Sequence, residues 1–128
     1  MFFIDKETND LSYKIIGCAY NVHKELGPGL LESAYKTCLC YELSKIEINY
    51  EKQKGLPIIY KDVTLDCGYR IDILVENKIV IELKTVEKLL PIHTAQIMTY
   101  LKLSNKHLGL LFNFYNANLQ NGIKRYVL

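Results

Sequence analysis

Two short apolar runs leave this chain little choice of fold. Tyr69-Arg70-Ile71-Asp72-Ile73-Leu74-Val75 and Ile79-Val80-Ile81-Glu82-Leu83-Lys84 are rich in β-branched residues and flank the polar triplet Glu76-Asn77-Lys78. Each is too apolar for a surface and too short for a buried helix, so the pair predicts a hairpin at the centre of a sheet. Asp72, Glu82 and Lys84 then stand out, because they interrupt strands that need burial. Residues two apart in a strand face the same side, so Glu82 and Lys84 share a face. A three-residue turn pairs Val75 with Ile79, which sets Asp72 opposite Glu82 and Arg70 opposite Lys84. A two-residue turn would set Asp72 against Leu83 and separate the acids. The three-residue register is preferred because it alone keeps polar with polar and leaves Ile71, Ile73, Ile79, Ile81 and Leu83 for the other face.

Around this hairpin the pattern changes period. Leu11, Ile15, Cys18, Ala19, Val22 and Leu26 recur at helical spacing, which predicts a helix over about 10–26 with Asp10 as N-cap and Gly27-Pro28-Gly29 as its stop. A second helix is expected from about Leu30 to Ser44, with Leu31, Ala34, Tyr35, Cys38, Leu39 and Leu43 inward. Residues 46–54 and 56–60 read as strands broken at Gly55. Pro91 opens a third helix to about Leu103. Leu108–Phe114 and Ile123–Val127 read as strands, with a polar loop at 115–121 between them. The order is ααββββαββ, an α/β or α+β domain with one mixed sheet.

At 128 residues the chain is expected to be a single domain over 1–128. Its 49% hydrophobic and 23% charged residues exclude disorder, collagen and coiled coil. No apolar run approaches the roughly 18–20 residues of a membrane span. The opening Met-Phe-Phe-Ile-Asp-Lys-Glu lacks the pattern of a secretory signal, which points to a cytoplasmic protein. The four cysteines form no Cys-x-x-Cys pair and the three histidines are scattered, which argues against zinc and for free thiols, with Cys18 and Cys38 buried. A net charge of +2 does not by itself argue for nucleic acid. Only Arg70 and Arg125 are arginines, so phosphate would have to be met mostly by lysines and a metal.

Two facing carboxylates, with Cβ atoms about 4.5–5.5 Å apart, repel unless one is protonated or a cation lies between them. A hard divalent ion suits such a pair, Mg²⁺ first and Mn²⁺ second. The competing reading is a salt-bridge ladder in which Lys84 or Arg70 neutralises Asp72 and Glu82.

Asp72, a nine-residue gap and Glu82-Leu83-Lys84 resemble the Asp…(Asp/Glu)-x-Lys signature of the PD-(D/E)xK nuclease superfamily. Gly29-Leu30-Leu31-Glu32-Ser33-Ala34-Tyr35 reads as Gly-x-x-Glu-x-x-Tyr and is similar to the small prokaryotic GxxExxY family, itself assigned to that superfamily. His23 to Gly29, Ala95 to Leu101 and Asn113-Phe114 also fit, so the resemblance runs from about Leu11 to Val127. It implies a restriction-endonuclease-like core, a mixed β-sheet flanked by helices. It places Glu32, Asp72, Glu82, Lys84 and Gln96 in the catalytic position. Asp72, Glu82, Glu32 and the carbonyl of Leu83 would be metal ligands. Gln96 and Tyr100 match the Gln-x-x-x-Tyr element of RecB-like nucleases, and i, i+4 spacing puts both on one helix face. Tyr35, Arg70 and Tyr100 are candidate substrate contacts, with a packing role equally open for Tyr35. Without the motif, Glu32 would read as an exposed residue paired with Lys36, and His23 reads as structural. The implied activity is Mg²⁺-dependent hydrolysis of phosphodiester bonds, with DNA as the expected substrate. The alternative is a non-catalytic nucleic-acid- or protein-binding module that keeps the nuclease fold. Self-association is compatible with either, since a minimal domain could lengthen its groove by forming a homodimer.

Overall fold

The computed structural model describes residues 3–128; Met1 and Phe2, the start of the segment read as lacking a signal, lie outside the described residues. Helix α1 spans Lys6–Leu26 and α2 spans Glu32–Lys45. Strands β1 (Tyr50–Gly55), β2 (Ile58–Tyr60), β3 (Val63–Leu65), β4 (Arg70–Val75) and β5 (Ile79–Lys84) follow, then α3 (Pro91–Ser104), β6 (Leu108–Asn113) and β7 (Ile123–Val127). A short 3₁₀ turn at Leu119–Gly122 leads into β7.

The main sheet has the order β1-β4-β5-β6-β7, antiparallel except for the parallel β5–β6 pair that α3 connects. Helices cover both faces. Ile15, Ala19 and Val22 of α1 and Tyr35, Leu39 and Leu43 of α2 pack against Ile73, Val75, Ile79, Ile81, Leu83 and Phe112. On the opposite face Ile97, Tyr100 and Leu101 of α3 pack against Leu74, Val80 and Leu111. Because β6 is buried along its whole length, its sequence Leu-Gly-Leu-Leu-Phe-Asn is a continuous run rather than an alternation.

Three expectations are corrected. The first helix starts earlier: Asp5, not Asp10, is the N-cap, with its Oδ1 accepting from the Thr8 N–H at 2.7 Å. Asp10 lies one turn in and pairs with Lys6 at 2.8 Å. The buried face accordingly begins at Thr8 and Ser12, polar positions that hydrophobic periodicity passes over. In the second helix Leu31 is the N-cap and 77% exposed, while Cys40 is buried and Cys38 only half-buried. Finally, the order is ααβββββαββ, with five strands before α3. The additional strand belongs to a separate two-stranded β2–β3 hairpin, turned at Lys61 in the left-handed region (φ 55°). Its three-residue strands are mostly exposed and carry no burial pattern to read.

The central register is the expected one. Val75 pairs with Ile79, Leu74 with Val80 and Ile73 with Ile81, so Asp72 falls opposite Glu82. Glu76 and Asn77 take left-handed conformations (φ 51° and 54°), and the Lys78 N–H closes the turn on the Val75 carbonyl.

Candidate active site

The β4–β5 ladder stops at Ile73–Ile81, and side chains take over from backbone there. The Asp72 N–H donates to Glu82 Oε2 at 2.9 Å, and the Leu83 N–H donates to Asp72 Oδ2 at 2.9 Å. Each acid is thus tied to the backbone of the other's strand. The loosening has a counterpart on the other side of Asp72. Strand β1 pairs with β4 at Lys52–Ile73 and again at Lys54–Ile71 but skips Gln53, whose φ is 52°. Opposite Asp72, then, an L-residue occupies the left-handed region, a conformation that costs roughly 1–2 kcal/mol.

Glu82 is buried, only 3% exposed. Burial and the neighbouring charge of Asp72 push its carboxyl from 4.5 up to about 8; the hydrogen bond from Asp72's backbone and the charge of Lys84 oppose the rise. Glu32, in the first turn of α2, is half-buried. Its carboxyl is also raised, by burial first and then by the charge of Asp72, while Lys84 and Lys36 pull the other way. Glu32 therefore feels the same centre. It forms no ion pair with Lys36 among the described residues, so the exposed i, i+4 reading does not describe it.

Lys84 sits at the open end of β5, and its Nζ donates to Gln96 Oε1 at 2.8 Å. Gln96 Nε2 donates in turn to the Tyr100 hydroxyl at 3.2 Å. Burial pushes that hydroxyl up; Gln96 lowers it, and the charges of Glu82 and Asp72 also reach it. Hence the helix after the lysine strand delivers both members of the Gln-x-x-x-Tyr element to one chain of contacts. The far wall is held by Asn113, the register partner of Lys84. Its buried amide donates to the Val86 carbonyl at 2.9 Å and accepts the Val86 N–H at 3.1 Å, pinning the chain that leaves β5. A Cβ on Gly122 would collide with the Asn113 carbonyl, so glycine is required at that position.

Among the described residues, neither Asp72 nor Glu82 forms an ion pair with a lysine or arginine, so the salt-bridge ladder is not what holds the hairpin. Arg70 does not face Lys84 as the register suggested. With the ladder ended, its guanidinium turns to Asp66 Oδ1 at 3.4 Å and the Tyr69 carbonyl at 2.8 Å. Arg125 binds Ser12 Oγ and Asn9 Oδ1 and ties β7 to α1. Tyr35 is a second correction: its side chain is fully buried and cannot touch a substrate. Its hydroxyl donates to the Gly27 carbonyl and accepts the Leu30 N–H, and its ring stacks on Phe114 at 4.4 Å. It clasps the Gly27–Gly29 turn that brings Glu32 into place. His23, bonded to the Asn116 carbonyl at 2.8 Å, is structural.

No group of three or more His, Cys, Asp or Glu side chains among the described residues is arranged to hold an ion. The oxygen set at the centre is the Asp72 and Glu82 carboxylates, and the Glu32 carboxyl is near enough to feel the charge of Asp72. Two carboxylates suit Mg²⁺, which usually takes one or two from protein and completes its shell with water and phosphate. An acid pair, Glu82 buried and Asp72 half-buried, that accepts two backbone N–H groups and forms no ion pair among the described residues fits that chemistry.

Neither Asn113, quoted from sequence only as part of the family resemblance, nor Gln53 was given a site role there. Asn113 had a signal of the same kind as Asp72, a polar residue closing an apolar strand. Gln53 had none.

A family model described as the PD-(D/E)XK nuclease superfamily matches residues 9–126. No curated protein and no solved structure matches the chain. No described helix is long and apolar enough to cross a membrane.

Proposed function

The chain belongs to the PD-(D/E)XK nuclease superfamily, and from that premise we propose that it is a Mg²⁺-dependent nuclease acting on DNA, of the narrower GxxExxY type. The observation that carries the reading is the acid pair itself. Asp72 and Glu82 are brought together with no ion-pair partner among the described residues, at the point where the strands open, beside a lysine that an amide holds. A divalent ion held by Asp72, Glu82 and the Leu83 carbonyl would supply positive charge to the phosphate and make a water more acidic. Glu32 would complete the ion's shell, directly or through water.

The residues do the positioning. Lys84 spends one N–H on Gln96 and has two left to direct at the attacking water and at a non-bridging phosphate oxygen. Those bonds strengthen as negative charge builds on the phosphate. The water's oxygen forms the new P–O bond and its proton passes to solvent; the opposite P–O bond breaks with its electron pair, and the leaving alkoxide takes a proton from water. Gln96 fixes where Lys84 points, and Tyr100 fixes Gln96.

The test is calorimetric titration of Mg²⁺ or Mn²⁺ into wild type and Asp72→Asn, beside a cleavage assay on single- and double-stranded DNA. Metal binding lost in the variant, and cleavage lost in both Asp72→Asn and Lys84→Ala, is the expected result. Cleavage unchanged in both variants, or no metal binding to wild type with nucleic acid present, rejects the reading. The small net charge of +2 favours one alternative, a module that binds without cutting. Metal binding with no cleavage of any nucleic acid would select it.

A further inference from the structure

A groove of about 380 Å³ opens directly beside this centre, between α3 and the chain entering β2 and β4. Gln96 and Tyr100 form its inner wall, Tyr69 and Ile58 face them, and His93 and Ala95 stand at the α3 side. It therefore adjoins the acid–lysine centre through Gln96: Lys84 Nζ lies one hydrogen bond from Gln96 at 2.8 Å, and Gln96 one more from Tyr100 at 3.2 Å. A nucleotide joins its phosphate to its base through a single sugar. A phosphate met by Lys84 and by an ion at the Asp72–Glu82 pair would bring its own base, or its neighbour's, to the mouth of this groove.

The lining suits a base. Tyr69 is 45% exposed and meets Tyr100 edge-on with ring centroids 6.3 Å apart, so one aromatic face is free to stack while the other ring closes the floor. His93 Nδ1 accepts the Leu90 N–H at 2.9 Å, which leaves Nε2 as the protonated nitrogen and a donor to a base edge. The volume lies at the small end of ligand pockets, which run to about 300–1,000 Å³. It has room for one base, which has to leave its stack and its pairing partner to enter. Resting on the nuclease reading above, we propose that this groove receives one unstacked base of the strand being cut, so that the substrate is single-stranded or locally unpaired nucleic acid. Stacking against tyrosine tolerates any base, so the groove selects for unpaired structure more than for sequence.

The experiment compares a homothymidine strand with an equally long strand of abasic tetrahydrofuran units, which keeps the phosphodiesters and removes the bases. Wild type, Tyr69→Ala and Ala95→Trp, whose indole fills the groove, are each assayed for Mg²⁺-dependent cleavage. Equilibrium binding of the labelled strands in Ca²⁺ is measured alongside. Wild type is expected to cut and bind the thymidine strand about tenfold better than the abasic one, by the worth of a stacked base. Both variants should lose that advantage while treating the abasic strand as wild type does, and a perfect duplex should be cut more slowly than the thymidine strand. Equal handling of the two strands by wild type overturns the proposal, as does a uniform loss on both strands in Tyr69→Ala, or no binding of either strand. If nothing is cut but the thymidine strand is still bound about tenfold more tightly by wild type alone, the groove stands and the nuclease reading falls.

Discussion

Glu82→Gln should make the metal-free protein more stable, and increasingly so as pH rises. Folding moves the Glu82 carboxyl from 4.5 up to about 8, through burial and the charge of Asp72. Between those limits the folded chain holds a proton that the unfolded chain has released, so stability falls as pH rises, by at most about 1.4 kcal/mol per unit. Below 4.5 both states are protonated and the penalty vanishes; above 8 it levels off. From pH 6 to pH 8 the wild type should lose about 2 kcal/mol through this group alone. Glutamine cannot ionise, yet its carbonyl can still accept the Asp72 N–H and its amide can donate to Asp72. Urea unfolding in EDTA at half-unit steps from pH 5 to pH 9 gives the comparison directly. The gap between variant and wild type should widen with pH and then flatten. Adding Mg²⁺ should raise the wild type alone, by about 2.7 kcal/mol at one hundred times its Kd. A gap that stays constant across pH would refute the argument, because it would mean that Glu82 is not held neutral by its surroundings.

Further outcomes follow from neighbouring residues. Gln96→Ala should lower kcat for DNA cleavage about tenfold or more, with little change in metal affinity, because it frees Lys84 without touching the acids; equal losses in metal binding would contradict that division. Tyr35→Phe should cost about 1–3 kcal/mol in urea unfolding, since the Gly27 carbonyl and Leu30 N–H lose their shared partner, while cleavage at low temperature persists. Gly122→Ala should cost about 1–3 kcal/mol or more, because the Asn113 carbonyl has to move, and hydrogen exchange should show Val86 loosened with it. Gln53→Gly should be neutral or stabilising by up to about 1 kcal/mol, whereas Gln53→Val should destabilise by about 1–2 kcal/mol, both read by thermal unfolding.

The legible parts of this chain were those where one rule of side-chain placement decides the outcome. The hairpin register was one. Shifting it by a residue would have turned Glu82 and Asp72 to opposite faces and brought Ile81 and Leu83 to the wrong side. The Gln96–Tyr100 spacing was another, because four residues make one turn and little else can happen. The helix start was misread because Thr8 and Ser12 are buried polar residues, satisfied locally by Asp5 and by the Asn9 carbonyl. Periodicity counts only apolar positions and so starts late. Tyr35 was ambiguous for a different reason. Its motif fixes its helix face but not the depth of that face, and depth depends on Phe114, seventy-nine positions away in sequence.

What sequence could not show is why the acids meet with their side chains and not their backbones. Alternation predicts Asp72 opposite Glu82, but it equally predicts an unbroken ladder through them. The break comes from β1, a strand whose side chains are nearly all exposed and whose burial pattern is therefore uninformative. At Gln53 it steps out of pairing, and on the other side of Asp72 the β4–β5 ladder ends as well. Asp72 is left with backbone partners on neither side, which frees its N–H for Glu82 and lets Leu83 reach its carboxylate. An unbroken ladder would have spent those N–H groups on carbonyls and left a buried carboxylate at Glu82 and a half-buried one at Asp72 without these donors, a costlier arrangement. The local strain at Gln53 therefore has a physical return in the geometry of the acid pair. That is why its substitution should change the spacing and metal affinity of Asp72 and Glu82, residues it does not chemically resemble.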